Sequence, residues 1–354
     1  MPHQVIHDPT ASTSVLRGHK IGVSWDPSGL LLNMSIPSLV GGISLRPYDL
    51  PGATVFAAAY GLLVPLLVYR LFDARWRSIV FIQATIFAIE RPIMFSLRAS
   101  AAVKNSEAPG LTKYFQAAFA LGFLGLAHLV LNLARPVIVK ATRGGPASGN
   151  DYLAVDQPRR RYWYRRGGDF LTVAHFVGIA FGIIGTVSLG SANETGPNHT
   201  HQVDRYVSCG IGLLLSGSVI LALIWASITL PRIDHRAVRF LLVLSTLLTI
   251  PAIYRFVVMR HTTPDIHALT HQALNTGADK AAFYAVHLVP EWTVIFLVAI
   301  FNTKDICQMD FLGDRMWDET PKERERLEEW KRKRAAKKSG LELSTKPPHF
   351  TLIP

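Results

Sequence analysis

Cysteine is nearly missing: Cys209 and Cys307 are the only two in 354 residues, too few for a disulfide framework. Acid is also short. Twenty-five Asp and Glu stand against 37 Lys and Arg, a formal net charge of +12, yet charged residues make up only 18% of the chain. An excess of base first suggests a nucleic-acid binder. Here the cations lie between long apolar runs rather than on one polar patch, so no nucleic-acid partner is expected. No short basic-then-apolar leader opens the chain, so the first long apolar run is expected to direct insertion. Internal repeats are missing too, and no HxxEH-type spacing supports a metal site, so neither metal nor cofactor is expected.

What the chain has in quantity is apolar sequence in blocks of about twenty residues, the length that crosses a hydrocarbon core of about 30 Å. Seven such blocks fall at about 53–70, 78–97, 114–139, 169–190, 207–230, 238–259 and 281–302. They predict an all-α integral membrane protein, a seven-transmembrane helix bundle over 51–302. An extracytoplasmic N-terminal segment, 1–50, precedes it and a basic cytosolic tail, 303–354, follows. The patch Gly29 to Leu45 is too polar, and too broken by Gly and Pro, to span, and reads as a surface or re-entrant segment. Within the tail, Thr320-Pro321-Lys322-Glu323 is a capping-box pattern with Pro at the first helical position, predicting a helix over 321–338. The fourth block carries Gly178, Gly182 and Gly185, a spacing that lets a neighbouring helix approach closely.

Seven spans put the termini on opposite sides. With the N-terminus outside, 26 Lys and Arg fall in inside segments and 9 in outside ones; without the tail the counts are 14 and 9. The positive-inside rule therefore places the N-terminus outside and the C-terminus in the cytosol. Three glycosylation sequons, at Asn33, Asn193 and Asn198, all fall on the outside in this arrangement, as expected of a glycoprotein. Cys209 then lies near the outer end of the fifth span and Cys307 just inside after the seventh, so they are not expected to pair. Cys307 is a palmitoylation candidate, with a plain thiol as the alternative. The inside loop over 140–168 holds Arg159 to Arg166, a run that offers a site for a cytosolic partner.

Ionisable residues at membrane depth are costly and mark either function or packing. At about 1.5 Å per residue, Glu90 and Arg91 lie roughly 18–20 Å from the inner boundary and Arg255 roughly 22 Å from it. Counted inward from the outer boundary, His287 and Glu291 lie at roughly 9 and 15 Å. All five are expected to form one cluster in which two acids neutralise two arginines, with Pro290 weakening the seventh helix beside it. A secondary polar set, His128, Asn132 and His175, sits nearer the inner side. The five-residue cluster serves either to tie helices together, at about 0.6–2 kcal/mol per contact, or to line a polar cavity for an amphiphilic ligand; the inner set is read first as a contact between helices three and four.

Four short pieces resemble the fungal RTA-like lipid-translocating exporters and related uncharacterised fungal seven-helix proteins. They are Glu90 with Arg98 eight residues on, Gln116 and Arg135 bounding the third span, the Tyr254-Arg255-Phe256 triplet, and Glu291-Trp292. The family pattern also has a Glu soon after the span-six arginine and an Asp after the span-seven Glu-Trp; Val257-Val258 and Thr293 to Ile300 offer neither. The resemblance implies lipid or sterol export, or resistance to membrane-active compounds, in a fungal plasma membrane or endomembrane. Membrane lipids and an amphiphilic small molecule are the partners expected. A seven-helix receptor-like sensor is the alternative, though neither a DRY-like nor an NPxxY-like element is present. A membrane-embedded enzyme using Glu90 or Glu291 as a general acid ranks last, since a Glu beside Arg is as readily ionised.

Overall fold

Seven helices of the computed structural model are long and apolar enough to cross a membrane. The structure describes residues 36–73, 76, 78–104, 107–142, 157–187, 199–263, 266–309, 328–329, 332–333 and 335. Six spans are continuous: α1 (Arg46–Phe72), α2 (Val80–Lys104), α3 (Pro109–Ala141), α4 (Pro158–Val187), α5 (His199–Thr229) and α6 (His235–Val258). The seventh, Gly277–Ile300, is composite: α7 (Gly277–Ala282), a π-helical turn Phe283–Leu288, and α8 (Val289–Ile300). A single turn, α9 (Thr303–Ile306), follows. The chain is an all-α bundle of a multi-pass membrane protein.

The helices outrun the apolar blocks that announce them, because polar turns continue a helix once its core-facing stripe is buried. α1 begins at Arg46 with a proline in its first turn, so Asp49 belongs to a spanning helix and not to the N-terminal segment. α4 starts at Pro158. The arginine run expected in the 140–168 loop is therefore the opening of that helix: Arg159, Arg160 and Trp163 are exposed and Arg165 is buried. Of the expected 321–338 helix, Glu328, Glu329, Arg332 and Lys333 are helical and exposed, with two i,i+4 ion pairs. The remainder of that stretch lies outside the described residues, as do Asn33, Asn193 and Asn198.

α3 runs through the middle: 72% of its most apolar window is buried, against 28% for α1 and α4. Its small residues Ala118, Ala120, Gly122, Ala127 and Ala134 face inward and admit close neighbours. Large side chains on the outer faces, among them Leu62, Phe72, Phe170 and Ile228, are exposed, as a lipid-facing belt requires. The glycine stripe of α4 lies against α5. A Cβ at Gly178, Gly182 or Gly185 would come within 2.9 Å of Ile211, Ser208 or Arg205 respectively.

One end of the bundle is capped. Ile36–Pro37 pairs antiparallel with Thr262–Thr263, and residues 37–44 are all buried. Gly41 and Gly42 hold φ of +75° and +56°, a left-handed conformation that side chains strain to adopt. Added Cβ atoms there would meet the Phe283 ring at 2.8 Å and Asn275 Oδ1 at 2.3 Å. At the opposite end, Arg70 donates to the carbonyls of Val298, Ile300 and Phe301 and so closes the C-terminus of α8.

Candidate functional site

The polar centre is built around the irregular seventh span. Pro290 has no N–H to give and its ring crowds the carbonyl four residues back. The preceding turn widens to π geometry, with Val289 N–H donating to Tyr284 O five residues behind. His287 and Glu291 flank that break and are both fully buried. Arg91, 0% exposed, reaches across from α2 and donates through Nη2 to Glu291 Oε2 at 2.8 Å. Its Nη1 lies 3.5 Å from Glu90 Oε2 and 3.3 Å from the Ala118 carbonyl of α3. The guanidinium passes flat over Phe87, 4.5 Å from the ring centroid. Gly122 makes this possible, since a Cβ there would sit 2.1 Å from Arg91 Nη2. Tyr114 donates its hydroxyl to the partly exposed Glu90.

Four of the five residues expected to cluster thus meet. Arg255 lies near enough for its charge to reach His287 and Glu291 but makes no ion pair with them. It is buried, yet no carboxylate lies within ion-pair reach of it among the described residues, and its Nε and Nη1 carry no hydrogen bond. Within ion-pair distance the centre is one arginine between two acids, with the second arginine further off. Arg255 follows Ala252 by three residues, and the Ala252 carbonyl lies 3.4 Å from Cys209 Sγ, so its side of α6 also borders α5.

Hydrogen-bonding capacity is left over in the centre. Glu291 Oε1 and both His287 ring nitrogens are buried without a hydrogen bond, as are the hydroxyl of Tyr60 and the indole N–H of Trp292. His287 Nδ1 approaches Glu291 Oε1 to only 3.5 Å, outside good hydrogen-bond geometry. Aromatic rings wall the imidazole in: Phe119, Phe283 and Tyr254 all have centroids within 5.8 Å of it. Unsatisfied buried polar atoms are rare in native proteins and call for a water, an ion or a ligand.

The secondary set also comes together, but as a stack. The His128 and His175 rings are 4.2 Å apart and nearly parallel, at 4°, joining α3 to α4. Asn132 Nδ2 lies 3.4 Å from His128 Nδ1. Among the described residues no group of three or more His, Cys, Asp or Glu is placed to hold a metal. Toward the uncapped end, a cavity of about 230 Å³ opens between α3, α4 and α5, lined mostly by apolar side chains such as Leu131, Ile138, Trp163, Leu171 and Val219.

A second buried charge group was not foreseen. Asp49, Arg98 and Lys280 lie beneath the cap with side chains no more than 1% exposed. Asp49 accepts from Arg98 Nε at 3.1 Å and Nη2 at 2.8 Å, from Lys280 Nζ at 2.8 Å, from Tyr284 Oη at 3.1 Å and from Leu45 N at 3.0 Å. Arg98 and Lys280 also donate to the Gly41 carbonyl, each at 2.6 Å, and Lys280 to Ile43 O. Gln116 brackets Val40 on both its N–H and its carbonyl. This group pins the cap to α1, α2, α3 and the seventh span. A periodicity in the sequence does point to it. Lys280, Tyr284, His287 and Glu291 recur at four, three and four residues, one helical face, and Arg98 follows Arg91 by seven.

Neither cysteine is bonded, and both are buried. Cys307, a palmitoylation candidate with a plain thiol as the alternative, is 0% exposed, packed where α9 folds back on the uncapped end. Burial, with the Asp234 charge adding to it, pushes its thiol up to about 12. A thiol so placed is neutral and inert at neutral pH.

Set against models of known protein families, characterised proteins and solved structures, the chain matches none of them.

Proposed function

We propose that this membrane protein binds and moves a lipid or other amphiphile, with its N-terminus outside and its basic tail in the cytosol. The observation that carries the reading is the unspent hydrogen-bonding capacity of Glu291 and His287 at the break in the seventh span. A polar headgroup offers partners for both while its chains occupy apolar space such as the cavity between α3, α4 and α5. The short motifs shared with RTA-like exporters support the same class, and so does the 26-to-9 bias of cations for the orientation. The plasma membrane or an endomembrane is the compartment that fits this role.

Glu291→Gln keeps the size of the side chain and removes its charge, leaving Arg91 without its buried counter-ion. The expected result is normal trafficking with export of a fluorescent lipid analogue, or resistance to a membrane-active amphiphile, reduced at least about tenfold. Arg255→Ala is expected to act the same way. Full export by both variants would sink the proposal and leave the centre a helix tie.

A second reading, a receptor-like sensor, draws on the exposed basic start of α4 as a surface for a cytosolic partner. Amphiphile-dependent recruitment of a soluble partner to Arg159–Arg166, with no transport, would favour it.

A further inference from the structure

Two buried arginines face each other without an acid between them. Arg205 of α5 and Arg255 of α6 are each 4% exposed. Their placement follows from the helix contact beside them. Cys209 meets Ala252 at 3.4 Å; Arg205 precedes Cys209 by four residues and Arg255 follows Ala252 by three. Because α5 and α6 are antiparallel, those steps move both arginines toward the capped end, by about 6 and about 4.5 Å. Their chain neighbours agree, since the Tyr206 and Phe256 rings stack with centroids 6.0 Å apart. Each arginine therefore sits at the same level.

Donors remain unused on both. Arg205 Nη2 donates to the Ser38 carbonyl of the cap at 3.1 Å, while Arg205 Nη1 and Arg255 Nε and Nη1 are buried without partners. Asp204, next along α5, forms no ion pair with either arginine among the described residues. Glu291 is committed to Arg91. Two like charges out of water, neither in an ion pair with a described acid, are unfavourable as they stand, and the forked geometry of guanidinium suits a planar or tetrahedral oxyanion. Arg205 lies about 9 Å from the start of α5 and Arg255 about 4.5 Å from the end of α6, a level that matches the headgroup boundary of a bilayer leaflet.

We propose that Arg205 and Arg255 form an anion site under the cap that takes a phosphate group, carried by an anionic phospholipid headgroup or as the free ion. The site deepens the amphiphile reading, on which it rests for its ligand class. Its unpartnered atoms, Arg205 Nη1 and Arg255 Nε and Nη1, are buried in this closed arrangement, so occupancy requires the segment around Ser38 to lift, freeing Arg205 Nη2 as a further donor.

The test uses the full chain purified in maltoside micelles, which contain no phosphate, and follows its thermal unfolding midpoint. Short-chain phosphatidic acid, diacylglycerol of the same chains, or inorganic phosphate is added. Phosphatidic acid is expected to raise the midpoint of the wild type, diacylglycerol to leave it unchanged, and Arg205→Gln/Arg255→Gln to abolish the rise. With no anion present the double variant is expected to unfold no lower than the wild type, because it loses two uncompensated charges; a purely structural pair would lower it. An equal rise with inorganic phosphate supports the site and assigns it to the free ion. Should the Gln variants not fold, Arg205→Lys/Arg255→Lys keeps the charge but loses the fork, and its apparent affinity is expected to fall on the order of tenfold. No rise in the wild type, or the same rise in the double variant or with diacylglycerol, overturns the proposal. Binding and export fail separately: loss of export in Glu291→Gln without phosphate binding leaves the transport reading standing, and the converse leaves the site standing.

Discussion

Asp49→Asn is the sharpest perturbation the fold offers. The side chain keeps its shape, so the effect is one of charge. In the wild type one carboxylate answers two cations, Arg98 and Lys280, all three buried, a local sum of +1. The variant raises that sum to +2 and puts an amide N–H₂ where an acceptor stood for at least two of five donors. Removing one member of a buried pair costs about 3–5 kcal/mol, because the charges left behind have no water to turn to. Lys280→Gln does the opposite, leaving Asp49 and Arg98 matched, and is expected to cost less. The double variant returns to +1 and should fall between them, with a coupling energy of about 1–3 kcal/mol. Equilibrium unfolding in mixed micelles gives the ordering, and thiol labelling of Val40→Cys, buried in the wild type, reports whether the cap has come loose. An Asp49→Asn cost below about 1 kcal/mol, the range of an exposed ion pair, with Val40→Cys still protected, would refute the assignment of this group as what holds the cap down.

Gly122→Ala is expected to drive Arg91 off Glu291, since the new methyl would overlap Nη2; a loss of about 3–5 kcal/mol in the same unfolding assay checks it. Cys307 is expected to resist maleimide in the folded protein at neutral pH and to react at once on unfolding. Its raised thiol pKa also makes a stability contribution that is complete below the unfolded value near 9 and lost as pH rises toward about 12. Cys307→Ala should flatten that alkaline decline, and an unaltered decline would put its cause elsewhere.

The spans were legible because apolar length is a one-dimensional signal. Ala281 to Phe301 announces itself by composition alone, and so does the glycine stripe of α4. What sequence hid was the partner of each charge. Asp49 looked like a residue of a polar N-terminal segment because the apolar block begins only after it, yet it sits in the first turn of α1, on the same stripe as Ala53, Phe56 and Tyr60. Lys280 looked like the outer boundary of the seventh span for the same reason. Arg255 joins the expected cluster by depth alone; depth fixes a level but not which acid a side chain reaches, and Glu291 pairs with Arg91 at 2.8 Å. The π-helical turn was half visible, in that Pro290 declared a fault without saying which way the backbone would yield.

The distribution of buried charge carries the last step. Arg91, Arg98, Arg205, Arg255 and Lys280 are all buried, four of them near the capped end and Arg91 at mid-bundle. The buried acids near them are Asp49, Asp204, Asp279 and Glu291, with Glu90 partly exposed at the margin. Three of these cations, Arg98, Arg205 and Lys280, count toward the outside in the charge bias of the sequence, yet none is in a loop. Taking them out of that count sharpens the bias and at the same time raises a harder question. In the orientation proposed above these cations lie on the outer half, against the prevailing trend, and burying them adds desolvation to that cost. Asp49 accounts for Arg98 and Lys280, and Glu291 accounts for Arg91. Arg205 and Arg255 form no ion pair with any acid among the described residues, and that gap is what the proposed phosphate site would fill.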